Sequence, residues 1–173
     1  YYNVEPDLCT FGKGMANGFS VAALCGKREF MKIGGIKEIG AERVFLTSTT
    51  HGAEMCGLGA LVETIKFYKE HKVVDHLWNY GRKLISEMNA IAKELQISDY
   101  FAATGIECSP NYITKDTNKE VSLAFRTLFS QEMIKNGVLI PWIAISYAHT
   151  DKELNRTLEA VRKSLQVYTK ALN

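Results

Sequence analysis

Asp7-Leu8-Cys9-Thr10-Phe11-Gly12-Lys13-Gly14-Met15-Ala16-Asn17-Gly18 sets the character of the first third of this chain. Residues 7–11 read as a short strand, and the glycine-rich run behind them has the chemistry of a tight loop. Val21-Ala22-Ala23-Leu24-Cys25-Gly26 reads as a buried strand stopped by glycine. A short helix is predicted around Arg28–Ile33 and a further strand over Arg43–Thr47. These apolar runs do not alternate with polar residues, which suits strands of a sheet covered on both faces.

Helices follow. One is predicted from near Gly52 to about Glu70. In a longer one, Val74, Leu77, Trp78, Gly81, Leu84, Ile85, Met88, Ile91, Ala92 and Leu95 recur at i, i+3, i+4, i+7 spacing, with an end near Gln96. Phe101–Cys108 and Asn111–Thr114 read as strands, and Val121, Phe125, Leu128, Phe129 and Met133 as one face of a helix stopped at Asn136-Gly137. Val138–Pro141 and Ile143–Tyr147 read as strand pieces. Thr150-x-x-Glu153 is a capping-box pattern opening a terminal helix whose apolar face is Leu154, Leu158, Val161 and Leu165. The α/β character of residues 1–72 thus gives way to an α+β unit over residues 73–173.

Composition excludes several functions. The 173 residues are 46% hydrophobic and 23% charged, ordinary for a globular protein. A net charge of +2 leaves no basic footprint for nucleic acid or a membrane surface. Three prolines and no low-complexity tract argue against a disordered linker, and no apolar run is long enough to span a bilayer. Cys9, Cys25, Cys56 and Cys108 are widely spaced in apolar settings, so they are expected to be buried, reduced thiols of a cytoplasmic protein. His71 and His76 are five apart, off the helical spacing of a metal pair, so no metal is expected.

Lys13 stands between two glycines just after a strand, where little side-chain cover reaches it. Such an amine can form an imine with an aldehyde. An ordinary surface-loop lysine fits the same spacing. The phosphate-loop pattern fails, because Asp7 stands where its first glycine would be and Gly14 follows the lysine. Ser48-Thr49-Thr50-His51-Gly52 leads into a helix, where hydroxyls and free amides make a phosphate site or a plain N-cap. Gly57, Gly59 and Ala60 would allow close backbone approach to that helix. His149 reads as a structural loop residue, Arg126 as a solvated charge, and Trp78 and Trp142 as packing residues.

Residues 6–18 followed by Val21–Gly26 resemble the cofactor-lysine segment of class III aminotransferases, pyridoxal-phosphate enzymes of fold type I. The branch resembled most is glutamate-1-semialdehyde 2,1-aminomutase. Ser48–Gly52 falls at that family's phosphate threonine, and Gly137–Pro141 with Ser146–Asp151 is similar to its C-terminal domain. The resemblance implies that residues 1–72 end a large cofactor-binding domain and residues 73–173 form the small C-terminal domain. Lys13 would hold pyridoxal phosphate as an imine and shuttle the substrate proton. Thr49, with Thr50 as a second contact, would bind the cofactor phosphate of a neighbouring subunit, implying a homodimer with shared active sites. The substrate would be a small amino or carbonyl compound.

Departures accompany the resemblance. Ala53-Glu54 replace the family's usual Asn-Pro, and Trp142 and Ile143 stand where aminomutases carry an acidic residue. The chain opens Tyr1-Tyr2 without methionine. The family's pyridine-pairing aspartate, stacking aromatic and glycine-rich phosphate loop would lie upstream of Tyr1, so this chain is expected to be a fragment inactive by itself. Two other functions fit the residues: a non-catalytic assembly or interaction domain, and a phosphate-ligand-binding module without imine chemistry.

Overall fold

The computed structural model describes residues 1–35, 37, 39–40, 42–44 and 52–173. They form two compact units, Tyr1–His71 and Lys72–Asn173.

In the first unit, β1 (Leu8–Phe11) pairs antiparallel with β2 (Ala23–Gly26), Leu8 opposite Gly26 and Phe11 opposite Ala23. Gly26 is required there, since a Cβ would lie 2.4 Å from the Asp7 carbonyl oxygen. The four-residue α1 (Arg28–Met31) follows, and α2 (Met55–Glu70) starts three residues later than its sequence suggested. Gly57 lets α2 approach the loop before β2: a Cβ would meet Val21 Cγ2 at 2.8 Å. Gly59 has nothing within 4 Å and serves no such approach among the described residues.

Two expectations fail in this unit. The ladder is not covered on both faces, for Leu8, Phe11 and Leu24 are all about half exposed. The cysteines are free thiols but not buried: Cys9 and Cys25 face each other across the open ladder, Cys25 and Cys56 are exposed, and Cys108 of the second unit is half-buried. A two-stranded ribbon has too little apolar surface on either side to bury them. Of the strand expected at Arg43–Thr47, residues 43 and 44 carry no regular structure and the rest lie outside the described residues.

The second unit holds the core. α3 (Val73–Glu94) and α5 (Asp151–Leu172) each show a polar face and a buried stripe, Leu84, Met88, Ile91 and Ala92 on one and Leu154, Val161, Leu165 and Tyr168 on the other. β3 (Phe101–Ile106) and β4 (Ser109–Thr114) form a hairpin in register Phe101–Thr114 to Ile106–Ser109. α3 packs on β3 and α5, and α4 (Leu123–Lys135) packs on α5 and β4. Phe101, Tyr112, Phe129 and Tyr168 interlock with ring centroids 5.0–6.3 Å apart, within the range of favourable aromatic packing. The turn after β3 rests on α3 at Gly81, where a Cβ would stand 1.6 Å from the Glu107 carbonyl oxygen.

The strand pieces expected at Val138–Pro141 and Ile143–Tyr147 are irregular. Side chains take the carbonyls a ladder would use. Tyr112 Oη donates to Ile140 O at 2.9 Å, and Arg126 Nη2 donates to Pro141 O at 2.9 Å. Pro141 also has no N–H to offer a ladder. Arg126 is therefore no solvated charge. It also donates to Tyr112 O at 3.0 Å, and its guanidinium stacks 4.2 Å from the Tyr112 ring centroid.

Candidate active site

The strand-to-loop exit of the first unit positions Lys13. β1 ends at Phe11, Gly12 stays extended, and Lys13 opens a single 3-10 turn closed by Met15 N–H to Gly12 O at 3.2 Å. Lys13 sits at φ 50°, in the left-handed region that costs a side-chain-bearing residue strain. Such strain recurs at functional turns, where the surrounding fold aims one side chain. The Lys13 side chain is exposed and makes no hydrogen bond or ion pair among the described residues.

Beside it lies a cavity of about 460 Å³, lined by Phe11, Gly12, Gly14 and Met15 and by Thr64, Ile65, Tyr68 and Lys69 of α2. The α2 residues were not singled out from the sequence. Their signal is a pair of i, i+4 steps, Thr64 to Tyr68 and Ile65 to Lys69, which puts them on one helix face. Among the described residues no carboxylate lines this cavity. An amine beside such a cavity suits an aldehyde-bearing cofactor, which it can hold as an imine. Thr49 and Thr50, the expected phosphate contacts, lie outside the described residues, as do Ser48 and His51.

The other residues considered from the sequence fall in the second unit. His149 Nδ1 accepts from Ser146 N–H at 3.3 Å, and its ring centroid is 5.8 Å from that of Tyr80. Trp142 is 68% exposed and packs no core. Among the described residues no group of three or more His, Cys, Asp or Glu could hold a metal, and no helix is long and apolar enough to cross a membrane.

The profile described as aminotransferase class-III matches residues 1–162. The chain belongs to this family. Among curated class-III relatives it is similar to 3-aminobutyryl-CoA aminotransferase of Cloacimonas acidaminovorans (strain Evry), 34% identical over 99% of this chain and 40% of the relative. It is also similar to glutamate-1-semialdehyde 2,1-aminomutase of Fusobacterium nucleatum, 29% identical over 96% of this chain and 40% of the relative. The chain thus spans about 40% of the length of the curated relatives it matches. Its fold matches the internal-aldimine form of the FumI protein of Sphingopyxis sp. MTA144, with TM-score 0.78, 24% identity, and coverage of 95% of this chain and 37% of that one. The fold is therefore that of part of a fold type I transferase, as the class-III aminotransferase motifs implied.

Proposed function

We propose that the chain is the C-terminal portion of a pyridoxal-phosphate-dependent enzyme of amino-group transfer acting on a small amino or carbonyl compound. The observation that carries this is Lys13: an amine unpaired among the described residues, held left-handed between two glycines beside a cavity that no described carboxylate lines, in a class-III aminotransferase sequence. Residues 1–72 then end the large cofactor domain and residues 73–173 form the small one. The apolar side chains left open on the β1–β2 ladder support that reading, since a complete cofactor domain would cover them.

Lys13 would hold the cofactor through its Nζ, and Thr49 and Thr50 would anchor the phosphate, in a neighbouring subunit of a homodimer. Bound pyridoxal phosphate supplies the electron sink for the charge left when a substrate C–H bond breaks. With that group bound, Lys13 Nζ would take the proton from the substrate carbon and return it at its new position. Gly12 and Gly14 leave its path free of side chains. The 34% identical relative is a transaminase, and Trp142 and Ile143 occupy the place of the aminomutases' acidic residue. Both support transamination over the mutase reaction. Free thiols and the absence of a membrane-crossing helix among the described residues support a cytoplasmic enzyme.

Borohydride reduction of the full-length parent with added pyridoxal phosphate, followed by peptide mass spectrometry, tests the reading. The label is expected on Lys13, and a label on another lysine overturns it. The 173-residue chain alone is expected to show no transaminase turnover, and measurable turnover would refute the fragment reading.

A further inference from the structure

The second unit carries a pocket of its own, of about 280 Å³, between α3, the segment 137–145 and the first turns of α5. Its floor is apolar: Leu84, Ile140 and Ile143 are all less than a tenth exposed. Only two charged side chains line it, Glu153 and Arg156. They stand at i and i+3 on one helix, a spacing that normally pairs opposite charges, yet no ion pair joins them.

Each charge makes its own contacts instead. Glu153 Oε2 accepts from Thr150 N–H at 2.9 Å and from Thr150 Oγ1 at 2.7 Å, which keeps the carboxylate at the N-terminus of α5. These bonds hold its pKa down at about 2, so it is ionised throughout the neutral range. The Arg156 guanidinium leans the other way, over Gly137, where Nη2 would stand 2.8 Å from an added Cβ. Its one contact there is a long 3.5 Å approach to Gly137 O, so most of its five N–H donors are unused. Tyr80 lines the pocket too, and burial, with Glu153 and Asp151 adding to it, pushes its phenol up. The pocket therefore has an acidic end at Tyr80 and Glu153, a basic end at Arg156 and Gly137, and an apolar floor.

We propose that the second unit binds a free amino acid as its zwitterion. Its carboxylate would sit on the Arg156 guanidinium, its ammonium at the Glu153 carboxylate, and an apolar side chain against Leu84, Ile140 and Ile143. Two opposite charges that line one cavity without pairing match a ligand that carries both, and they match poorly a simple acid or a simple amine. The site uses no residue of the first unit and asks nothing of Lys13.

Titration of the ¹⁵N-labelled chain with L-leucine, without pyridoxal phosphate, tests this. Saturable shifts are expected at the Trp142 indole and at the amides of Ile143 and His149. 4-Methylpentanoate, which lacks the ammonium, and 3-methylbutylamine, which lacks the carboxylate, should each bind about tenfold more weakly or worse, the effect of losing one charge-assisted contact. Arg156→Gln, an exposed substitution, should weaken leucine about tenfold and make it equal to 3-methylbutylamine. Lys13→Ala should leave binding unchanged, which separates this site from the imine reading of Lys13. Absence of saturable shifts, equal binding of leucine and the two truncated probes, undiminished leucine binding by Arg156→Gln, or loss of binding in Lys13→Ala would each overturn the proposal.

Discussion

At the scale of single residues, Arg126 shows how a side chain can replace a strand. Its guanidinium spans two backbone carbonyls, those of Tyr112 and Pro141, and covers the Tyr112 ring. Tyr112 in turn donates to Ile140 O from inside the core, where it is 1% exposed. Together they hold the segment that walls the second-unit pocket. Removing the fork takes a partner from the part-buried Tyr112 carbonyl and from Pro141 O and uncovers the Tyr112 ring, so Arg126→Ala should cost about 2 kcal/mol in urea unfolding followed at the second unit. Arg126→Lys should recover less than half of that, because an ammonium cannot make the planar two-carbonyl fork. Equal stability of the alanine and native proteins would show the clamp to be idle. None of this was legible in the sequence. Arg126 lies 14 residues from Tyr112 and 15 from Pro141, and no local pattern reports such a partner. Lys13 is the opposite case: flanking glycines and the preceding strand marked it as a candidate, and the structure adds its left-handed backbone.

At the scale of elements, legibility followed how much of an element's bonding is internal. α3 and α5 satisfy their own backbones and show a 3.6-residue stripe, so both were readable along with the capping box at Thr150 and Glu153. The 138–147 segment has strand-like composition but bonds outward to side chains, so the strand reading failed there. The capping box also carries a pH dependence. Hydrogen bonds from the Thr150 hydroxyl and backbone lower the Glu153 pKa from an ordinary 4.5 to about 2. A folded-state value below the unfolded one adds stability that is fully present above the unfolded value and is lost as pH falls through the folded value. The stability gap between the native chain and Glu153→Gln should be full above pH ~4.5 and close as pH drops toward about 2. Thermal melts of both proteins across that range, followed by circular dichroism, measure it. A gap that stays constant over the range would mean the carboxylate charge contributes nothing to the cap.

At the scale of the whole molecule, the two units differ in what holds them. The second buries a continuous core from α3 through α5. In the first, only Ala16 and Gly57 are buried among the described residues, and Phe11, Leu24 and Met55 stand open. The family motifs were legible in this weakly buried unit because the chemistry proposed for Lys13 would need particular residue types in a particular order. The shortage of core was not, because apolar strands look alike whether or not a second layer covers them. Local opening is cheapest where few apolar contacts are broken, so amide protection should be unequal along the chain. Hydrogen exchange read by mass spectrometry should find peptides of α3, β3, β4 and α5 protected about 100-fold or more beyond those of β1 and β2. Equal protection would mean that the first unit draws its stability from something other than its own buried surface. Adding the upstream part of the proposed parent should raise protection in β1 and β2 while leaving α5 unchanged, since the second unit's core is already closed by its own residues.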